Sequence, residues 1–316
     1  MRFANGPATI LAVLLAAIGF QSPAIAATFN VNDAAGLRAA LLTAATNGQD
    51  DVIVLAAGIY ATGGTTFTFV INENKTLTLQ GASGTTRSQV VLDGGGTSQV
   101  LNCDCVGSCG AVTLRGLTVQ NGNMTSGIEG SGGENSGIFK PDLVISDVIF
   151  LGNRSINSGG AIHGGNVTAT NSAFSGNWTT YGYGGAIYGG NVSVTSSTFI
   201  NNAAGQTGGA IHPYGQLTVA NSAFISNAAS LGGAIDGSNG TVTKSIFIDN
   251  AAGSGAPNPD DASQHHGSLD TRTASGSELG SSGQIKLYYS SVICSARLIS
   301  SAVISGISTP EANRRH

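Results

Sequence analysis

The stretch GGAIYGGNVSVTSSTFINN, residues 184–202, contains one complete unit of a repeat that recurs along the middle of the chain. The unit is GGAI followed by F-x-x-N. Successive GGAI copies begin 25, 24 and 24 residues apart, and the phenylalanines are spaced by 24, 25, 25 and 23 residues. A fixed period in this range is typical of a solenoid, in which each turn packs only on its neighbours. The GGAI copies begin at Gly159, Gly184, Gly208 and Gly232, and the F-x-x-N copies at Phe150, Phe174, Phe199, Phe224 and Phe247.

Each unit also carries the alternation typical of a strand with one buried face. Seven and five residues before Phe199 stand Val192 and Val194, which alternate with Ser or Thr. Strands of successive units run the same way, so they are expected to stack as parallel sheets about 4.8 Å apart. We therefore predict an all-β fold, a parallel β-helix of roughly seven or eight coils of about 24 residues. A leucine-rich repeat has a similar length, but it requires several Leu per copy and has no double glycine.

The two ends of the chain differ from the repeats. Residues 1–26 have the short apolar run and the small-x-small end of a secretory signal peptide. Residues 33–47 are predicted to form a helix that caps the first coil, with Asn32 or Asp33 as N-cap and Gly48 as the stop. A first strand is expected at residues 52–55.

The mature chain is expected to divide into a β-helix domain and a tail. The β-helix domain covers residues 27–250, with irregular coils at 52–142 and regular repeats at 143–250. Residues 122–140, rich in Gly, Ser and Asn, are expected to form a loop that bulges from one coil. Residues 251–316 lose the repeat and are interpreted as a degenerate or truncated tail.

Composition excludes several classes of partner. Charged residues make up 9% of the chain against the usual ~25%, and the net charge is −4. Without a basic cluster, nucleic acid is not expected as a partner. No stretch after the signal reaches 18 uninterrupted apolar residues, so no transmembrane segment is expected in the mature chain.

The cysteines allow two interpretations. Cys103, Cys105 and Cys109 are clustered and Cys294 stands apart. Export favours a disulfide, for which Cys105 and Cys109 are the candidates. The alternative is a metal site built from the three clustered thiols, which an oxidising compartment disfavours.

Stacking of equivalent positions predicts columns of like side chains inside the coil. The phenylalanines form one column and the isoleucines of GGAI a second. The asparagines of F-x-x-N form a third, a structural ladder in which each amide donates to one neighbour and accepts from the other, with the backbone in the left-handed conformation that Asn tolerates. The ladder comprises Asn153, Asn177, Asn202, Asn227 and Asn250.

The residue after each GGAI is predicted to point outward, which aligns four side chains on one surface. A speculative hypothesis is a ligand-binding or acid/base stripe, flanked by aromatic side chains that offer stacking platforms for sugars or peptides. The alternative is a solvated strand face with no dedicated ligand. The stripe residues are His163, Tyr188, His212 and Asp236, with Trp178 as the main flanking platform and Tyr181, Tyr183 and Tyr214 nearby.

Catalysis is not expected. Glycoside hydrolases require two facing carboxylates, and lyases require a cation held by clustered acids together with a base. Between residues 143 and 250 the acids are Asp147, Asp236 and Asp249, which occupy three different columns, and no Glu is present. We therefore assign no catalytic residue, no metal and no cofactor.

The GGA[I/L/V] and F-x-x-N signatures resemble the polymorphic outer membrane protein repeats first recognised in chlamydiae. They are also similar to bacterial secreted right-handed parallel β-helices of the pectin-lyase-like superfamily. The resemblance covers residues 112–250. It implies a right-handed coil and a secreted or cell-surface protein of a bacterium, outside the cell, on the outer membrane or in the periplasm. The implied role is adhesive or structural, towards a host or environmental glycan or protein surface. The alternative is a polysaccharide lyase or glycoside hydrolase with an unrecognised or degenerate site.

Overall fold

The computed structural model describes residues 26–71, 74–106, 109–123, 128–129, 138–139, 141–237, 239–253, 272–274, 277–279 and 285–287. This part of the chain winds into a parallel β-solenoid of about eight turns, with one short α-helix near its start. The all-β parallel β-helix predicted from the repeat is confirmed. The right-handed sense of the winding stays a prediction.

The first part of the solenoid has coils of uneven length. Its parallel rungs begin 24, 26 and 35 residues apart, at Ala27, Asp51, Leu77 and Val112. The elements are β1 (Ala27–Val31), α1 (Ala34–Ala44), β2 (Asp51–Leu55), β3 (Gly58–Ala61), β4 (Phe67–Ile71), β5 (Leu77–Gly81), β6 (Val90–Asp93), β7 (Leu101–Val106), β8 (Val112–Gln120), β9 (Ile128–Glu129) and β10 (Ile138–Phe139).

The second part repeats the same short strands in each coil, followed by three strands of the tail. The strands are β11 (Leu143–Leu151), β12 (Arg154–Ser155), β13 (Ile162–His163), β14 (Val167–Thr170), β15 (Ala173–Ser175), β16 (Trp178–Thr179), β17 (Ile187–Gly189), β18 (Val192–Thr195), β19 (Thr198–Ile200), β20 (Ala203–Thr207), β21 (Ile211–Pro213), β22 (Leu217–Ala220), β23 (Ala223–Ile225), β24 (Ala228–Leu231), β25 (Gly240–Thr243), β26 (Ser245–Ile248), β27 (Ala251–Ala252), β28 (Arg272–Ala274), β29 (Ser277–Leu279) and β30 (Ile285–Leu287).

Three sheets run along the solenoid, and each regular coil visits them in turn. Sheet I contains β1, β2, β3, β5, β6, β8, β11, β14, β15, β18, β19, β22, β23, β25 and β26, which pair in parallel. Sheet III contains β12, β16, β20, β24 and β27. Sheet II contains β4, β7, β9, β13, β17 and β21, with β10 antiparallel to β7.

The helix covers the first coils, as expected of a cap. Asp33 is its N-cap and accepts a hydrogen bond from the backbone N–H of Gly36 at 2.7 Å. The helix ends at Ala44, before the end at residue 47 that the sequence predicted. A turn leads from the helix to Gly48, which has a positive φ. Arg38 fixes the cap by donating to the backbone carbonyls of residues 62, 65 and 66.

The expectation that the first strand begins near residue 52 is wrong. Strand β1 precedes the helix and pairs in register with β2, so the first rung begins at Ala27. Val31 is 7% exposed, and the inward side chains of this strand are few. The five residues carry neither GGAI nor F-x-x-N and directly follow the predicted signal peptide, so only their pairing with β2 identifies them as a rung.

The core consists of columns of equivalent side chains. Consecutive phenylalanine rings from Phe150 to Phe247 lie with centroids 4.6–4.8 Å apart and planes within 5° of parallel. Val119 occupies the same position in the preceding coil. The isoleucines of GGAI form a second buried column, with exposures of 0–3%. Such columns bury the apolar face of every rung against the next.

The asparagine column forms a continuous ladder. In its middle, Asn202 donates from Nδ2 to the Oδ1 of Asn227 at 2.9 Å and to the carbonyl of Phe174 at 3.0 Å. Its own Oδ1 accepts from the backbone N–H and the Nδ2 of Asn177. The prediction that these residues take the left-handed conformation is wrong, because the residue before each of them has the positive φ, as Asn201 does at 54°. Full hydrogen bonding explains why these amides are tolerated in the interior.

A serine ladder accompanies the asparagines and was not predicted. The Oγ of Ser197 accepts from the backbone N–H of Ser172 at 3.1 Å and donates to the carbonyl of Thr195 at 2.9 Å. Ser222 and Ser245 continue the pattern. The signal is the serine two residues before each phenylalanine from Phe174 to Phe247, which is regular but looks like an ordinary exposed polar residue.

The two glycines of GGAI have different roles. The first, such as Gly184, has a φ of 62°, which L side chains rarely adopt. The second, Gly185, has an ordinary φ, but a Cβ there would collide with the carbonyl oxygens of Gly209 and Ala203. Of the two glycines, only the first therefore forms a corner with positive φ.

The insertion and the tail contribute strands within the described residues. Residues 128–129 pair in parallel with β7 and β13, so part of the segment expected to be a loop completes a rung of sheet II. In the tail, β28 and β29 pair antiparallel to β26 and β25 on the last rung of sheet I. Residues 1–25 of the predicted signal, residues 124–127, 130–137 and 140 of the insertion, and residues 254–271, 275–276, 280–284 and 288–316 of the tail lie outside the described residues.

Candidate functional site

The residue after each GGAI lies on the outer surface of sheet II. His163 pairs in register with Tyr188, and Tyr188 with His212. The isoleucine before each of them is fully buried, and because side chains alternate along a strand the next one points outward. These side chains are half-buried, since each packs against its equivalents on the coils above and below.

Five rings form a continuous group on this surface, which we call the aromatic stripe: His163, Tyr183, Tyr188, His212 and Tyr214. Tyr188 is central, with its ring centroid 5.0 Å from that of His163, 5.7 Å from His212, 5.3 Å from Tyr214 and 5.9 Å from Tyr183. The ring of Tyr183 also lies 5.0 Å from His212. Tyr214 is 59% exposed, so the stripe offers an accessible aromatic surface.

The stripe ends in a polar group that joins two coils. Nδ1 of His212 lies 3.4 Å from Oδ2 of Asp236 and 2.7 Å from Oγ1 of Thr207. The hydrogen bond with His212 lowers the pKa of the Asp236 carboxyl, against the opposing effect of burial, and Thr207 adds to the lowering. His212 and Asp236 stand on neighbouring coils, and the rung spacing of about 4.8 Å is short enough for their side chains to meet.

This polar group does not have the layout of a nucleophile relay. In such a relay one ring nitrogen contacts the nucleophile and the other contacts the acid. Here Thr207 and Asp236 both face the same nitrogen, Nδ1 of His212. The arrangement therefore orients the imidazole and holds a negative charge beside it, on the edge of an aromatic surface.

Trp178 does not belong to the stripe. It lies on β16 in sheet III, where the guanidinium carbon of Arg154 sits 4.2 Å from the ring centroid. The reason is the corner at Gly176, with a φ of 61°, which turns the chain onto sheet III directly after the phenylalanine strand. Tyr181 is 71% exposed, and no ring contact joins it to the stripe within the described residues.

The remaining acids of the regular coils are spread around the solenoid. Asp147 and Asp249 occupy left-handed corners, with φ of 56° and 53°. Asp147 also pairs with Arg87 at 3.3 Å. Neither approaches Asp236 in the hydrogen bonds and ion pairs of the described chain. Sequence reasoning placed the three in separate columns, and the structure separates them.

The clustered cysteines lie on and beside β7. Cys105 and Cys109 form a disulfide, with Cα atoms 5.8 Å apart. Cys103 is a buried free thiol, and desolvation raises its pKa to about 12. Two of the three thiols considered for a metal are therefore committed to each other. Cys294 lies outside the described residues.

A sequence model described as the Chlamydia polymorphic membrane protein (Chlamydia_PMP) repeat matches residues 147–165. The protein is a parallel β-helix that carries this repeat. The matched segment runs from Phe150 and Asn153 of one F-x-x-N through the following GGAI, which is one unit of the stacked columns. The match thus falls on the residues that build the core and on His163 of the stripe.

The crystal structure of Escherichia coli YbhC matches with 16% sequence identity and a TM-score of 0.40, covering 73% of this chain and 70% of that chain. No curated protein matches the chain. Within the described residues, no helix has the length and apolar character needed to cross a bilayer.

Proposed function

We propose that the protein is a secreted or cell-surface β-helix with an adhesive, non-catalytic role, and that the aromatic stripe is its contact surface. The Chlamydia membrane protein repeat supports a surface location. The predicted signal peptide supports export. The observation that carries the adhesive role is the continuous group of five rings around Tyr188 on one accessible face.

The stripe suits a flat ligand surface better than an enclosed small molecule. Its rings come from three successive coils, so they extend along the solenoid axis instead of closing around a pocket. Exposed tyrosines supply rigid contact area with a polar end, a combination that binding surfaces favour. Glycans, with apolar ring faces and many hydroxyls, fit such a surface, and so does a protein patch.

The polar end of the stripe gives a reason to assign binding in place of catalysis. A hydrolase requires two facing carboxylates, and Asp236 has one imidazole and one hydroxyl as its neighbours. The charge on Asp236 is stabilised by its hydrogen bonds, so it fits the role of a fixed acceptor for ligand hydroxyl groups.

A binding experiment with matched variants tests the proposal. The purified chain is applied to a glycan array and to host or environmental cells, alongside Tyr188→Ala, Tyr214→Ala and the control Tyr181→Ala. Each stripe variant is expected to weaken binding roughly tenfold, as for loss of a central aromatic contact. Tyr181→Ala removes a tyrosine that is more exposed than either Tyr188 or Tyr214 and lies away from the stripe, and it is expected to bind like wild type.

The same preparations separate the adhesive role from the enzymatic alternative. Incubation with acidic polysaccharides is expected to yield neither unsaturated nor new reducing ends. Product formation that disappears in Asp236→Asn would establish an enzyme in place of an adhesin. Binding that survives the combined Tyr188→Ala and Tyr214→Ala substitutions would remove the stripe from the account.

A further inference from the structure

A separate concavity lies at the corner between sheets I and III, away from the aromatic stripe. Its volume is about 430 Å³. Four glycines of the coil corners line it, together with Asp93, Asn121, Asn123, Arg154 and Trp178. We call it the Arg154 concavity.

Arg154 has hydrogen-bonding capacity that the protein does not use. Its guanidinium makes no hydrogen bond and no ion pair in the described part of the chain, and its buried Nε is without a partner there. The contact with Trp178 places the guanidinium carbon 4.2 Å from the ring centroid, and the guanidinium N–H groups have no hydrogen-bond acceptor in the described part of the chain. The indole N–H of Trp178 likewise donates to no described residue.

The other polar groups of the concavity are already paired. The carboxylate of Asp93 accepts from the backbone N–H of Gly95, from Gln120 Nε2 and from Asn121 Nδ2, at 2.8, 2.8 and 3.1 Å. Asn123 donates from Nδ2 to the carbonyl of Gly96 at 2.7 Å. Asp93 is therefore held by neutral donors of its own coil and its neighbour, and no ion pair joins it to Arg154 among the described residues.

The unsatisfied groups of the concavity are thus donors, and one of them carries a full positive charge. A donor that is buried without a partner destabilises the protein, and more so when it is charged. A planar guanidinium with free N–H groups matches the two oxygens of a carboxylate, sulfate or phosphate group.

We propose that the Arg154 concavity binds an oxyanion of a small extracellular ligand, through the guanidinium of Arg154 and the indole N–H of Trp178. The site is independent of the aromatic stripe. The contact with the ring of Trp178 holds the guanidinium in place, so that little side-chain entropy is lost on binding. The glycines at the corners leave the space in which the anion sits.

Trp178 is the chain's single tryptophan, so its fluorescence reports on this concavity alone. The full chain is titrated with inorganic phosphate, sulfate and acetate at constant ionic strength balanced with chloride. At least one of these anions is expected to change the fluorescence saturably, and comparison of the three identifies the preferred oxyanion. Arg154→Gln is expected to weaken the apparent affinity at least about tenfold. The control Arg115→Gln removes the same charge from an exposed position elsewhere and is expected to bind like wild type.

The proposal is wrong if none of the three anions gives a saturable change, or if chloride alone gives the same one. It is also wrong if the response persists unchanged without the guanidinium. Circular dichroism checks that Arg154→Gln is folded. If that variant does not fold, Arg154→Lys decides, because lysine keeps the charge but loses the planar fork and must also weaken binding.

Discussion

The rings of Phe174 and Phe199 lie one coil apart with centroids 4.6 Å apart and planes inclined by 1°. Both side chains are fully buried. Their spacing equals the rung spacing of the sheets, so the side chains repeat with the same vertical step as the backbone. The same axial repeat that stacks the phenylalanines inside the solenoid aligns the rings of the aromatic stripe on its surface.

Shortening a phenylalanine in the middle of the column should destabilise the protein strongly. Phe199→Ala leaves a cavity between two rings and is expected to lower the free energy of unfolding by about 3–5 kcal/mol. Phe247→Ala, at the end of the column and 8% exposed, loses one stacking partner and should cost less. Urea unfolding measures both, and equal losses would contradict a column closed on both sides of Phe199.

Asn202→Ala should be costly because several buried groups lose their partners. The amide of Asn177 and the carbonyl of Phe174 would be left without their bonds to this side chain. At about 1–3 kcal/mol for each unsatisfied group, we expect a loss of at least about 3 kcal/mol. Asn191→Ala is the control, since Asn191 is exposed and its side chain accepts from Gln216 alone. A loss for Asn202→Ala no larger than that of the control would argue against the ladder.

Two glycine substitutions distinguish backbone strain from coil-to-coil contact. Gly185→Ala places a Cβ against the backbone of the next coil and is expected to prevent normal stacking. Gly176→Ala has the same chemistry at a position with a φ of 61° and open space around the new methyl, so only a conformational cost of roughly 1–2 kcal/mol is expected. Thermal unfolding compares them, and a milder effect at Gly185 would contradict the close approach of the coils.

Acid should remove the contribution of Asp236 to stability. The pKa of this carboxyl is lowered in the folded protein, chiefly by its hydrogen bond with His212. A lowered folded-state pKa stabilises the protein above the ordinary carboxyl range, and the contribution is lost as the pH falls through the folded-state pKa. Wild type is therefore expected to be more stable than Asp236→Asn at pH 7, with the difference shrinking below about pH 4. A difference that stays constant with pH would exclude an ionised Asp236 in this contact.

Cys103 should be unreactive until the solenoid opens. Desolvation raises the pKa of its thiol to about 12, and only the thiolate form attacks thiol reagents. In a Cys294→Ser background, modification of Cys103 is expected to be slow in the folded protein and rapid in urea, as followed by mass spectrometry. Rapid modification under native conditions would contradict the burial of this side chain.

The period of the repeat predicted the columns, because residues that recur at a constant spacing in the sequence come to equivalent positions on successive coils. Phe174, Asn177 and Ile187 recur at fixed intervals, so their stacking follows from counting residues. The contact between Arg154 and Trp178 could have been predicted, since each residue directly follows an asparagine of the ladder. It was missed because the side chains at this position differ from one coil to the next. The rung formed by β1 could not be predicted in this way, because it carries neither GGAI nor F-x-x-N and is defined by its pairing with β2.

The position of the candidate site could be predicted only in part from the sequence. Equal offsets from GGAI placed His163, Tyr188 and His212 on one face. Thr207 was missed, because its contact with His212 spans a turn whose shape the repeat does not specify. Trp178 was misplaced, because its distance along the chain from Tyr188 does not reveal the corner that separates sheets III and II.

Selective labelling of phenylalanine ring protons gives the most direct test of the register on which the columns and the stripe depend. NMR cross-relaxation is expected between the rings of Phe174 and Phe199 and between those of Phe199 and Phe224. None is expected between Phe174 and Phe224, which lie two rungs and therefore about 10 Å apart. Rings that show no contact between consecutive copies, or equal contact between all copies, would contradict a solenoid stacked in vertical register.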